Sequence, residues 1–188
     1  MTAVVPVVLL AAACADARAD GSAFTQLSPS SHCFGRKPGE VRAYGTGWLT
    51  NETSADVTIL DVSFENLTGF VEDGDAVLVP EFRTADGGSM TYTVGGPMPP
   101  DPTDEVGQAV WAQRRNAVGA VIAEGESLQL LVPMRQTADV GGFDHVVVEY
   151  KVAGKRGTGT WLGPTDVAFG TTGPGPCEGL DEMMPSED

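Results

Sequence analysis

Histidine is almost missing from this chain: His32 and His145 are the only two in 188 residues. A Ser-His-Asp site would need one of them beside an activated serine. The Gly-x-Ser-x-Gly elbow that exposes such a serine does not occur. Cysteine is nearly as scarce, with three residues and no Cys-x-x-Cys pair, and the histidines do not stand at zinc-ligand spacing. A structural zinc site is therefore not expected. Gly157-Thr158-Gly159 and Gly170-Thr171-Thr172-Gly173 lack the lysine and helix start of a phosphate-binding loop. They read as turn and strand glycines.

Positive charge is also short. Eleven Lys and Arg stand against 26 Asp and Glu, for a formal net charge of −15. Such a surface repels phosphate backbones, which excludes nucleic acid as an expected partner. It is also repelled by anionic lipid heads unless a covalent anchor holds it there. No apolar run reaches the roughly 18 residues a membrane helix needs. Heptads and long internal repeats are absent as well.

What the chain does contain begins with Ala3 to Ala13, an unbroken apolar run followed by Cys14. Eleven residues suit the apolar stretch of a signal peptide rather than a span. Leu10-Ala11-Ala12-Ala13-Cys14 resembles the lipobox of bacterial lipoproteins, which implies lipidation of Cys14. Ordinary cleavage at Ala15-Asp16-Ala17 is the alternative, since it satisfies the small-x-small rule. Either way the chain is expected to be exported, and residues 1–17 form the leader.

If Cys14 carries lipid, Cys33 and Cys177 remain as an even pair flanking the rest of the chain. In an oxidising compartment they are expected to form a disulfide. The chain-entropy model gives a loop of about 145 residues roughly 5 kcal/mol.

Residues 18–38 are small and polar and read as a flexible tether. From Glu40 the pattern turns to period two, with Val41, Ala43, Gly45, Gly47 and Leu49 on one face. Val57 to Phe64 is a second, β-branched strand, Ala76 to Val79 a short one stopped by Pro80, and Met90 to Val94 another candidate. Residues 95–107 read as an irregular exposed loop, and Ala109 to Val118 as a helical turn or an irregular strand. Val118-Ala120-Ile122 and Leu128-Leu130-Val132 alternate around a Glu124-Gly125-Glu126 turn. Gly141-Gly142 reads as a turn before a strong strand from Phe143 to Val152. Ala153 to Gly157 is a hairpin loop, and Thr158 to Leu162 and Val167 to Phe169 complete the set. Short strands between turns every 8–12 or so residues indicate an all-β antiparallel sandwich over residues 39–172. An acidic tail follows at 173–188.

Leu49-Thr50-Asn51-Glu52-Thr53-Ser54 with Val57-Thr58-Ile59 resembles the first hairpin of immunoglobulin-like domains in bacterial secreted proteins. Val121 to Leu128 is similar to their mid-domain turn and strand. Leader, tether and sandwich together resemble actinobacterial secreted lipoproteins. The resemblance implies location and an immunoglobulin-like fold, and carries no catalytic residues with it.

The remaining chemistry is acidic and aromatic. Glu72, Asp73 and Asp75 cluster at one turn, and Asp101, Asp104 and Glu105 stud the long loop. Hard oxygens on sandwich loops can hold Ca²⁺, although no EF-hand spacing is present. Met90, Met98 and Met134 are too dispersed in sequence to suggest a soft-metal site. Trp48, Trp111 and Trp161 are expected as core anchors. Arg114-Arg115 is the basic doublet of an acidic domain. Beside Trp111 it forms the candidate partner contact, because Trp and Arg dominate interface hot spots. A solvated strand edge blunted by charge is the other reading. The expectation is thus a non-enzymatic, envelope-tethered or secreted module that binds another protein, with no cofactor. Binding of a small ligand or divalent cation is the alternative.

Overall fold

A computed structural model describes residues 22–25, 30–35, 39, 41–83, 89–90, 97–163 and 165–170. The strands in chain order are β1 (Ser30–Gly35), β2 (Val41–Thr50), β3 (Val57–Glu65), β4 (Phe70–Glu72), β5 (Val77–Pro80), β6 (Phe82–Arg83) and β7 (Ser89–Met90). Helix α1 (Glu105–Trp111) then precedes β8 (Arg115–Asn116), β9 (Val121–Ile122), β10 (Ser127–Gln136), β11 (Val140–Phe143), β12 (His145–Val152), β13 (Gly159–Leu162) and β14 (Thr165–Gly170).

Two antiparallel sheets make the all-β sandwich. One runs β2-β10-β5-β8, with β4 also paired to β10; the other runs β13-β12-β3-β9. The chain passes from one sheet to the other between β2 and β3 and again between β10 and β12. Leu49, Leu78, Leu128, Leu130 and Val132 of the first sheet meet Val57, Ile59, Val148, Tyr150 and Trp161 of the second in one buried cluster. The period-two pattern of β12 follows directly, because its alternate residues face this core.

β10 behaves differently and is buried on both faces. Ala43, Val77, Val79, Val110 and Leu131 form a second cluster on the far side of the first sheet, with Met98 and Trp111 packed against it. Helix α1 thus covers the outer face of that sheet. Its start is set by Asp104, whose side chain accepts from the Gly107 N–H at 2.8 Å. The loop before it is pinned where Gln108 Nε2 donates to the Pro100 carbonyl at 2.8 Å. The irregular loop expected over residues 95–107 therefore ends earlier, and Glu105 to Gly107 are helical.

Two pieces of residues 18–38, read as a tether, belong to the fold. Ala23 and Phe24 are buried in the main cluster. Phe24 lies edge-on to Tyr150 at 5.2 Å and to Trp161 at 6.3 Å between centroids. The Ala23 N–H donates to the Tyr150 hydroxyl, and the Trp161 indole N–H donates to the Thr25 carbonyl. Further on, β1 pairs in parallel with β14, which pairs antiparallel with β11. The expected turn at Gly141-Gly142 is instead part of β11. A Cβ at Gly141 would come within 2.8 Å of Gly69 Cα, so glycine is needed there for close approach.

Candidate functional site

The acidic residues of the loops serve local structure first. Asp73 pairs with Arg135, whose Nε donates to Asp73 Oδ2 at 2.7 Å. Asp101 closes its own turn by accepting from the Thr103 hydroxyl at 2.6 Å and the Thr103 N–H at 2.8 Å. Those bonds, the side-chain one foremost, hold its carboxyl below the usual range. Asp104 caps the helix, and Glu105 lies in its first turn, where negative charge meets the exposed N–H groups. Among the described residues, no group of three or more His, Cys, Asp or Glu has a metal-holding arrangement.

Trp111, Arg114 and Arg115 form one exposed ridge. Trp111 ends α1, with one side against the second apolar cluster. The guanidinium of Arg114 sits 4.5 Å over the Trp111 ring, and its Nη1 donates to the Trp111 carbonyl at 2.9 Å. Arg115 begins edge strand β8 and donates to Glu126 Oε1 at 2.9 Å. The other oxygen of Glu126 accepts from the Ala123 N–H, so one carboxylate closes the β9–β10 turn and fixes Arg115. Of the three residues read as a contact, Arg114 touches Trp111 and Arg115 is paired with Glu126. Of the other tryptophans, Trp161 is a core residue and Trp48 is only half-buried.

Beside β8, beyond this ridge, lies an open depression of about 300 Å³; the sequence pointed to Glu72 and Asp75 of its lining but not to Asp61. Asp61, Glu72 and Asp75 line it, with Val62, Asn116 and Val118. Asp61 arrives there through a β-bulge. Glu149 faces Asp61 while the next residue, Tyr150, faces Ile59, so Leu60 is inserted. The signal was present in the sequence: the buried positions of β3 slip from a spacing of two at Val57 and Ile59 to three at Val62. Partial burial, followed by the charge of Asp61, raises the Glu72 pKa.

The histidines stand apart from both features. His145 opens β12 with Nδ1 2.9 Å from the Gly163 carbonyl, and His32 lies on β1. Cys33 is also on β1, in register with Ala168 of β14, whereas Cys14 and Cys177 lie outside the described residues. Comparisons with protein-family models, curated proteins and solved structures gave no match.

Proposed function

We propose that this chain is a non-enzymatic module, exported and either lipid-anchored through Cys14 or secreted, whose sandwich binds another protein. The observation that carries the reading is the Trp111–Arg114–Arg115 ridge. A tryptophan half-sunk in an apolar cluster, an arginine stacked on it and a second arginine held by Glu126 form a contact surface that is ordered before binding. Ordering such side chains in advance lowers the entropic cost of association, and these residue types supply most interface energy.

The immunoglobulin-like reading is part of the same proposal. In that arrangement the second strand pairs with the fifth and the third with the sixth. Here β2 pairs with β10, β3 with β12, and β12 with β13 through a hairpin. The β1–β14 pairing supports a Cys33–Cys177 disulfide. It sets Cys33 opposite Ala168, nine residues before Cys177 in the sequence.

Photo-cross-linking in native envelopes tests the binding reading. A benzophenone residue at exposed Gln113 of the mature wild type should give a discrete adduct with one envelope protein. Arg114→Glu with Arg115→Glu should abolish that adduct while leaving the unfolding curve within about 1 kcal/mol, as for surface positions. An undiminished adduct in the double variant would remove the ridge from the interface.

A further inference from the structure

We infer that the open edge of β3 accepts an extended, lysine- or arginine-bearing segment of a partner protein as an added strand. This rests on the protein-binding reading above and names the chemistry of the partner. β3 is paired with β12 along its length on one side, but on the other side β9 covers only Val57 and Thr58. Ile59 is still satisfied there, donating to the Ala120 carbonyl and accepting from the Gly119 N–H. Beyond it, no strand among the described residues flanks β3 on that side.

The bulge at Leu60 resets which main-chain groups face outward. Ile59 faces β9, and the Glu65 carbonyl accepts from Asp144 on the β12 side. With Leu60 and Asp61 together opposite Glu149, alternation places the N–H and C=O of Val62 and Phe64 away from β12. These are the donors and acceptors a new strand would use, and main-chain pairing of this kind supplies affinity in strand addition.

Charge selects the occupant. The depression beyond this edge is lined by Asp61, Glu72 and Asp75, and none of the three has an ion-pair partner among the described residues. Val118, 54% exposed, adds apolar surface to the lining of the depression. A strand alternating lysine with a β-branched residue meets both features, because its side chains divide between two faces. An acidic strand would be repelled by the three carboxylates, as like charges across a pair destabilise it.

The test uses the mature wild-type chain and three synthetic heptapeptides. The first is Ac-Thr-Lys-Val-Lys-Val-Lys-Thr-amide, the second the same peptide N-methylated at both valines, and the third its Glu-for-Lys counterpart. Backbone amide shifts and titration give affinity and place. The lysine peptide should bind and slow amide exchange at Val62 and Phe64. The N-methylated peptide should bind at least tenfold more weakly, and the glutamate peptide not measurably. Asp61→Asn with Glu72→Gln and Asp75→Asn should weaken binding at least tenfold. Glu52→Gln with Asp56→Asn and Glu124→Gln, the same charge change at distant exposed sites, should weaken it less than twofold. Equal binding of the N-methylated peptide, equal loss in the distant variant, or no binding of the lysine peptide would each overturn the inference. If the Gln113 adduct still forms and depends on Arg114 and Arg115, the module still binds a protein and only the strand-addition site is lost. Loss of that dependence as well would end both.

Discussion

Replacing Phe24 with alanine should cost this protein about 3–5 kcal/mol of folding stability, the usual price of truncating a fully buried aromatic ring. Phe24 is 1% exposed, so nearly its whole side chain leaves water on folding. It makes edge-to-face contacts with Tyr150 and Trp161, and each such pair adds about 0.5–1.5 kcal/mol beyond area. Collapse of the site is limited, because the neighbouring main chain is fixed by the Phe24–Asn51 bridge and by the Thr25 N–H donating to the Thr50 carbonyl. The assay is urea unfolding of the mature chain followed by Trp fluorescence, with thermal melting alongside. For a chain of this size, 3–5 kcal/mol corresponds to a melting temperature lowered by about 6–20 °C. A loss under about 1 kcal/mol would refute the reasoning. It would mean that residues 22–25 leave the sandwich in solution.

Asn51 is buried; its amide donates to the Ala55 and Ile122 carbonyls and its oxygen accepts from Thr53. Asn51→Ala should destabilise by about 2–3 kcal/mol in the same unfolding assay, since it strands those groups. Gly159 faces Tyr150, and an added Cβ would collide with the ring, so Gly159→Ala should cost about 1–3 kcal/mol. Asp104→Ala removes the cap of α1 and should cost about 1 kcal/mol, read by urea unfolding. Glu72 has a folded pKa raised above its ordinary 4.5, so between those values the folded chain holds more protons than the unfolded one. Stability then falls as pH rises through that window. Glu72→Gln should remove this slope and leave the variant the more stable above it, measured by urea unfolding from about pH 4 to 7.

Strands whose alternate residues face water were legible from sequence. β3 and β12 declare themselves by period and β-branched content, and their pairing follows from the sandwich they imply. β10 was found as a strand but only half understood. Leu128, Leu130 and Val132 alternate as read, yet Gln129, Leu131 and Pro133 are buried too, Leu131 in the cluster that α1 joins and Pro133 against the turn at Gly74. That helix was obscured by the prolines before it, although Asp104 followed by Glu105 is an N-terminal signal. Phe24 was hidden for another reason. A single aromatic among small polar residues has no period, and its burial is fixed by Tyr150 and Trp161, far away in sequence. At the candidate site, the ridge was legible because Trp111, Arg114 and Arg115 are neighbours in the chain. The depression was not, since Asp61 of β3 joins Glu72 and Asp75 of one turn, brought together by the bulge and by the stacking of the sheets.

The docking of residues 22–25 also sets an order of events. Ala23 bonds to a hydroxyl 127 positions later, and Thr25 accepts from an indole 136 positions later. During synthesis residues 23–25 can meet Thr50 to Glu52 early, but Tyr150 and Trp161 follow their partners only 127 and 136 positions later. Closing loops of that length precedes any reward from the contacts they bring, which slows folding. A chain cut short before Trp161 would leave Phe24 in water and the sandwich without its last hairpin. Completion of this fold therefore waits on the β12–β13 hairpin, and a copy stopped before it would present apolar strand edges to whatever quality-control machinery meets it.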